Sequence, residues 1–225
     1  MTSGVREATL DDVPQIADVF ASGFIDDELF GDLIHPRRRE YYDDYLSWWK
    51  HEIRTHLFEP AVLMYVRADE SNVVRACCVL RRLGKGAEAR TTDVAFLERV
   101  SIAVANKMDD LTVSRRSLDP DGFEKYEKNW EDIAHHFTGP RAEVWMIELF
   151  CVAPESQRGG HGRAIIQNAI QLAKSEDVPL CVIASSVGDA FYGKMGFYEI
   201  GRANIGSLSM LEGGSLKVYE RHLQR

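Results

Sequence analysis

The sequence has no run of apolar residues approaching the roughly 18 that a membrane-crossing helix needs, so no membrane role is expected. It has no excess of positive charge. Its formal net charge is −8, from 27 Lys and Arg against 35 Asp and Glu. A protein that tracks nucleic-acid phosphates carries a basic stripe, so no nucleic acid partner is expected. Cysteine is also scarce. Cys77, Cys78, Cys151 and Cys181 all fall in apolar, strand-like runs without metal-ligand spacing. That argues against a disulfide framework or a zinc site and fits reduced core thiols in a cytoplasmic protein. His135 and His136 lack further ligands at suitable spacing, and adjacent residues of one helix point different ways, so no metal is expected. The first residues carry no apolar stretch behind their charges, and no secretory leader is expected. No Gly/Ser- or Pro-rich linker and no repeat divides the chain, so residues 1–225 are expected to form a single domain.

Periodicity supplies the elements that are there. Residues 4–9 alternate as a short strand, and Asp11 and Asp12 then cap a helix with Pro14 in its first turn. Val13, Ile16, Ala17, Phe20 and Phe24 give that helix one apolar stripe. A loop is expected over residues 25–38. A second helix follows with an aromatic stripe from Tyr41 to His56, either core packing or the lining of an acceptor pocket. Residues 61–68 and 73–82 read as a hairpin around the polar turn Asp69-Glu70-Ser71-Asn72. Residues 83–141 read as a helical insertion. One helix is suggested by Val94, Leu97, Val104 and Met108, and another, entered through Asp119-Pro120, by Phe123, Tyr126, Trp130, Ile133 and Phe137.

The chemistry concentrates after residue 142. Val144 to Val152 is a long apolar run holding one carboxylate, Glu148, and reads as a central strand. Gln157-Arg158-Gly159-Gly160-His161-Gly162-Arg163 follows, then a helix with Ile165, Ile166, Ala169, Ile170 and Ala173 on its buried face. Strand, Gly-rich loop and helix start together make an anion cradle, because first-turn amides lack internal partners and carry the positive end of the helix dipole. The glycines let the backbone approach an anion, and Arg158 and Arg163 add charge-assisted bonds. A P-loop would end in Gly-Lys-Ser/Thr, which is absent. A dinucleotide fold would place its glycines near the first strand. Leu180 to Ala184 is a second buried strand, a short helix around Phe191 and Tyr192 runs into another, and residues 215–220 alternate and are expected to close the sheet.

At these residues the chain resembles the GNAT superfamily of acetyl-CoA-dependent N-acetyltransferases. Gln157-x-x-Gly160-x-Gly162 fits that family's pyrophosphate-binding pattern. Val152-x-Pro154 before it and Ala184-Ser185 … Tyr192-x-x-x-Gly196-Phe197 after it fall in the family's order. The resemblance implies an α/β fold, a mixed, mostly antiparallel sheet of six to seven strands flanked by helices, with the helical insertion between strands 3 and 4. It implies acetyl-CoA as cosubstrate, lying in a cleft between strands 4 and 5. Gln157, Arg158, Gly159, Gly160, His161, Gly162 and Arg163 would hold its pyrophosphate, His161 through its amide alone. The backbone of Phe150, Cys151 and Val152 would pair with its pantetheine arm, with the Val152 amide as oxyanion donor, and Ser185 and Gly188 would border it.

Glu148 is the candidate base and Tyr192 the candidate acid to the departing thiolate. Residues 148, 150 and 152 share parity and so one sheet face, unless a bulge intervenes. A Glu paired with an Arg, and a Tyr merely packed on the sheet, are the plain structural alternatives. Phe24, Asp27 and Phe30 resemble acceptor-site residues. The acidic cluster Asp26-Asp27-Glu28 would favour polyamines or amino sugars if it steers cations, and serves as a cap otherwise. The expected activity is transfer to a primary amine of a small molecule by direct attack in a ternary complex. A protein or peptide acceptor and a non-catalytic acyl-CoA-binding module are the alternatives, and the resemblance leaves room for a homodimer.

Overall fold

The structure is a computed structural model that describes residues 4–88, 103–109 and 114–220. Seven strands form one sheet in the order β1-β2-β3-β4-β5-β7-β6. They are β1 (Val5–Glu7), β2 (Val62–Ala68), β3 (Val74–Leu83), β4 (Val144–Val152), β5 (Leu180–Ala184), β6 (Tyr198–Arg202) and β7 (Ser215–Tyr219). Every neighbouring pair is antiparallel except β4 and β5. Strand β7 does not close the sheet as its position near the end of the chain suggests. It lies between β5 and β6, and β6 is the edge.

The alternation of β3 divides two cores. Cys77 and Val79 pack with α1 (Val13–Gly23) and α2 (Tyr42–Leu57), around Phe20, Trp49 and Ile53. Cys78 and Leu80 face the other way, toward Ile165, Ile166 and Ala169 of α6 (His161–Ser175). Each fully buried apolar side chain here contributes about 1.5–3 kcal/mol. The expected loop over 25–38 is instead partly helical. Residues Glu28–Ile34 wind into a π-helical turn because Asp27 caps it, its Oδ1 accepting from the Leu29 and Phe30 amides at 3.0 and 2.8 Å.

Between β3 and β4 run α3 (Lys85–Glu88), α4 (103–109) and α5 (Pro120–Ile133). Asp119 caps α5 through the Asp121 amide, with Pro120 in the first turn. Val94 and Leu97 lie outside the described residues; Val104 and Met108 fall on α4 and are exposed.

Two irregularities in β4 open the sheet. Leu149 pairs with Val79 and Ile147 with Leu80, so Glu148 is an extra residue without a partner in β3, a β-bulge. The bulge inverts the alternation. Trp145, Ile147, Phe150 and Val152 face α6, while Leu149 and Cys151 face α1. Glu148 therefore does not share a face with Phe150 and Val152. The parallel ladder to β5 also stops there: it joins Trp145–Ile147 to Leu180–Val182, although β4 continues to Val152. Beyond the bulge the two strands diverge, and the cleft between them is the mouth of a cavity.

Candidate active site

The loop after β4 is built by backbone conformation. A 3-10 turn at Pro154–Ser156 leads to Arg158 and Gly160, both left-handed at φ 64 and 81. Gly160 is the N-cap of α6, a place where a glycine adopts that φ without strain. Gly162 lets the helix start sit close to β4, since a Cβ there would meet Phe150 Cζ at 3.0 Å and Val152 Cγ2 at 3.1 Å. Gln157, Arg158, Gly160, His161, Gly162 and Arg163 line the cavity, with the two arginines exposed at its rim. The His161 side chain has a partner of its own: Arg67 Nε donates to its Nδ1 at 3.1 Å. Burial first, then the Arg67 and Arg75 charges, lower its pKa.

From the loop the cavity, of about 970 Å³, follows the open edge of β4. Phe150, Cys151, Val152, Ser185 and Gly188 line it. Ser185 Oγ accepts from the Gly188 amide at 3.2 Å and holds the turn into α7 (Asp189–Lys194). Tyr192 on α7 is buried, edge-on to Phe150 and Phe197. Burial, reinforced by Cys78 and Cys151, puts its phenol well above the ordinary range, so it stays a proton donor. The Cys151 thiol is turned toward α1, where it donates to the Val19 carbonyl at 3.5 Å. Burial pushes it up to about 12, which leaves almost no thiolate at neutral pH.

At the far end stands Glu148. Arg81 Nε donates to its Oε1, and the same guanidinium donates to Glu59. Glu148 Oε2 is buried and has no hydrogen-bond partner among the described residues. His56 Nε2 lies 3.9 Å from it, while His56 Nδ1 meets Glu59 Oε1 at 3.1 Å. Burial alone would raise Glu59, but hydrogen bonds from His56 and Arg81 outweigh it and bring its pKa down to about 2. Phe24, Asp27 and Phe30 line this end too, Asp27 as the cap of the π-helical turn, with its pKa raised by burial. Opposite them α5 contributes Tyr126 and Trp130. Burial, then Glu148 and Glu52, push the Tyr126 phenol up to about 12.

The structure thus brings the loop, Tyr192 and Glu148 onto one cavity. Sequence reasoning missed Arg81 and Glu59. Arg81 left one signal: Arg81-Arg82 follows the apolar run Ala76 to Leu80, and a guanidinium entering a core calls for a carboxylate nearby. The acidic cluster lines the cavity and also has structural partners. Asp26 pairs with Arg39, Asp27 caps, and Glu28 accepts from the amides of Glu212 and Gly213.

Comparison with known proteins gives the same setting. Residues 136–206 match the acetyltransferase (GNAT) domain family. An acetyltransferase from Stachybotrys chartarum is 25% identical over 208 residues, 90% of this chain and 84% of that protein. Among solved structures, a histone acetyltransferase HPA2 and related acetyltransferase from Corynebacterium glutamicum superposes with a TM-score of 0.58 at 17% identity, covering 95% of this chain and 92% of that one. Arylalkylamine N-acetyltransferase 2 from Aedes aegypti gives 0.56 at 9% identity, covering 96% and 97%. The PaiA N-acetyltransferase from Thermoplasma acidophilum, in complex with coenzyme A, gives 0.53 at 10%, covering 95% and 96%. Among the described residues no helix is long and apolar enough to cross a membrane.

Proposed function

We propose that this chain is an acetyltransferase of the GNAT type, which moves the acetyl group of acetyl-CoA to a primary amine of a small molecule by direct attack in a ternary complex. The observation that carries the reading is the continuity of the cavity from the loop at Gln157 to Glu148. Amides at the start of α6, with Arg158 and Arg163, would hold the pyrophosphate. The β4 backbone past Ile147 has no β5 partner and would pair with the pantetheine arm as a strand does. Ala153 donates its amide to Arg75 of β3 at 2.9 Å. Ladder alternation then directs the Val152 amide to the open edge, toward the thioester carbonyl.

The acceptor arrives as an ammonium and loses a proton to Glu148. Its nitrogen then attacks the carbonyl carbon, the C–S bond breaks, and the thiolate takes the Tyr192 proton; the second proton shed by the new amide nitrogen returns to the Tyr192 phenolate through water, and Glu148 releases the first to solvent. Arg81 holds the Glu148 carboxylate in position.

The test is free-thiol release from acetyl-CoA across a panel of amines, beside calorimetric binding of acetyl-CoA alone. Glu148→Gln is expected to lower kcat by about 10²–10⁴-fold and Tyr192→Phe by about 10²-fold, with acetyl-CoA affinity kept. Glu148→Gln with wild-type kcat would remove Glu148 as the base. Binding without release from any amine would favour a non-catalytic acyl-CoA-binding module.

A further inference from the structure

The polar side chains around the acceptor half of the cavity are already committed. Asp27 and Glu28 accept from backbone amides. Asn129 Nδ2 donates to the Ala203 carbonyl at 2.7 Å, and Asn204 Nδ2 to that of Leu211 at 2.9 Å. Arg81 is divided between Glu148 and Glu59. Asp26 and Glu127 stand at the exposed rim, where water and salt screen them. What remains among the described residues is the Glu148 carboxylate, with the Tyr126 phenol within its electrostatic reach, and Asp27 Oδ2, since both amides reach Asp27 Oδ1.

Around these carboxylates the wall is aromatic. Phe24 and Phe30 lie 5.0 Å apart between ring centroids, and Phe30 and Tyr126 5.9 Å. Trp130, one turn beyond Tyr126 on α5, stacks on Phe137 at 5.2 Å, and Tyr126 and Trp130 remain 37% and 44% exposed. Such rings, left open on a cavity wall, offer flat apolar surface and π-faces for a cation.

We propose that the acceptor is a primary monoamine on a flat apolar body, the arylalkylamine class, selected by Tyr126 and Trp130 of the inserted helix. This rests on the acetyl-transfer reading above. The ammonium meets the Glu148 carboxylate and the ring lies against α5. The thin chain of a polyamine leaves these rings uncovered, and the hydroxyls of an amino sugar find most of their partners already used. Unpaired polar groups are rejected more strongly than a misfitting methylene.

The experiment compares kcat/KM for 2-phenylethylamine, tryptamine, spermidine, glucosamine and a short peptide with a free N-terminus, on wild type, Trp130→Ala, Trp130→Phe and Tyr126→Phe. The two arylalkylamines are expected to exceed the others by at least about 100-fold. Trp130→Ala should raise their KM by about tenfold while the acetyl-CoA KM holds, and Trp130→Phe should restore most of the loss. The partial exposure of Trp130 makes these variants compatible with folding, checked by circular dichroism. Release that is fastest with spermidine, glucosamine or the peptide overturns the acceptor class and leaves acetyl transfer standing. Equal KM for all amines in Trp130→Ala and wild type overturns the role of α5. Acetyl-CoA binding with no release from any amine overturns both readings.

Discussion

At the scale of single residues, the site separates two chemistries that one stretch of β4 could have hosted. Cys151 lies on the cofactor strand, three residues beyond Glu148, and a thiol there invites an acetyl-enzyme route. The bulge at Glu148 and the packing of α1 turn that thiol toward α1. A Cβ on Gly23 would come within 1.9 Å of the Cys151 sulfur, so helix and thiol touch with no room for an acetyl group between them. With its pKa near 12 the sulfur is also a thiol, not a nucleophile. Direct attack therefore predicts that incubation with acetyl-CoA alone leaves the intact mass unchanged. It also predicts that Cys151→Ala keeps kcat within a few-fold, at a stability cost of about 1 kcal/mol for the lost buried atom. A mass gain of one acetyl group, lost in Cys151→Ala together with turnover, would establish the covalent route.

At the scale of elements, what was legible in the sequence was what local geometry dictates. The strand–loop–helix unit of β4 and α6 could be read because its glycines answer to their own φ and to neighbours a few residues away. The cap at Asp119 and the hairpin turn at Asp69 are local for the same reason. A bulge in this strand could be expected, but its position was not legible, since a register exists only between two strands, and nothing in Ile147-Glu148-Leu149 says which of them β3 will skip. Nor was the pairing of Arg81 with Glu148, which lie 67 positions apart. The insertion of β7 between β5 and β6 is likewise a fact of topology. The element that ties the fold to the chemistry is the start of α6. Gly162→Leu would drive a branched side chain into Phe150 and Val152 and tilt the helix start away from β4. Calorimetry should then show acetyl-CoA binding weakened at least about tenfold, with helix content unchanged by circular dichroism. Undiminished affinity would move the phosphate site away from α6.

At the scale of the whole molecule, the cavity joins parts that are far apart in sequence. The loop and α7 come from the last third of the chain, the π-helical turn from the first, and α5 from the insertion. The two cores are also not separable, because β3 and β4 contribute alternate residues to both. Unfolding either face exposes the other side of the same strands. We therefore propose that residues 1–225 behave as one domain, with the insertion melting along with the sheet. Asn129 of α5 is buried against the chain at Ala203, and its neighbour Tyr126 packs on Phe30, so α5 has little reason to unfold alone. Calorimetric and van't Hoff enthalpies should agree in a single transition. Acetyl-CoA at a hundredfold excess over its Kd adds about 2.7 kcal/mol, which for a chain of this size raises Tm by about 5–10 °C. The shift should move the whole transition, since the cavity draws its wall from all of these parts. A second, cooler transition that acetyl-CoA does not move would make the insertion an independent unit, and the acceptor wall would then have to be sought on the sheet rather than on α5.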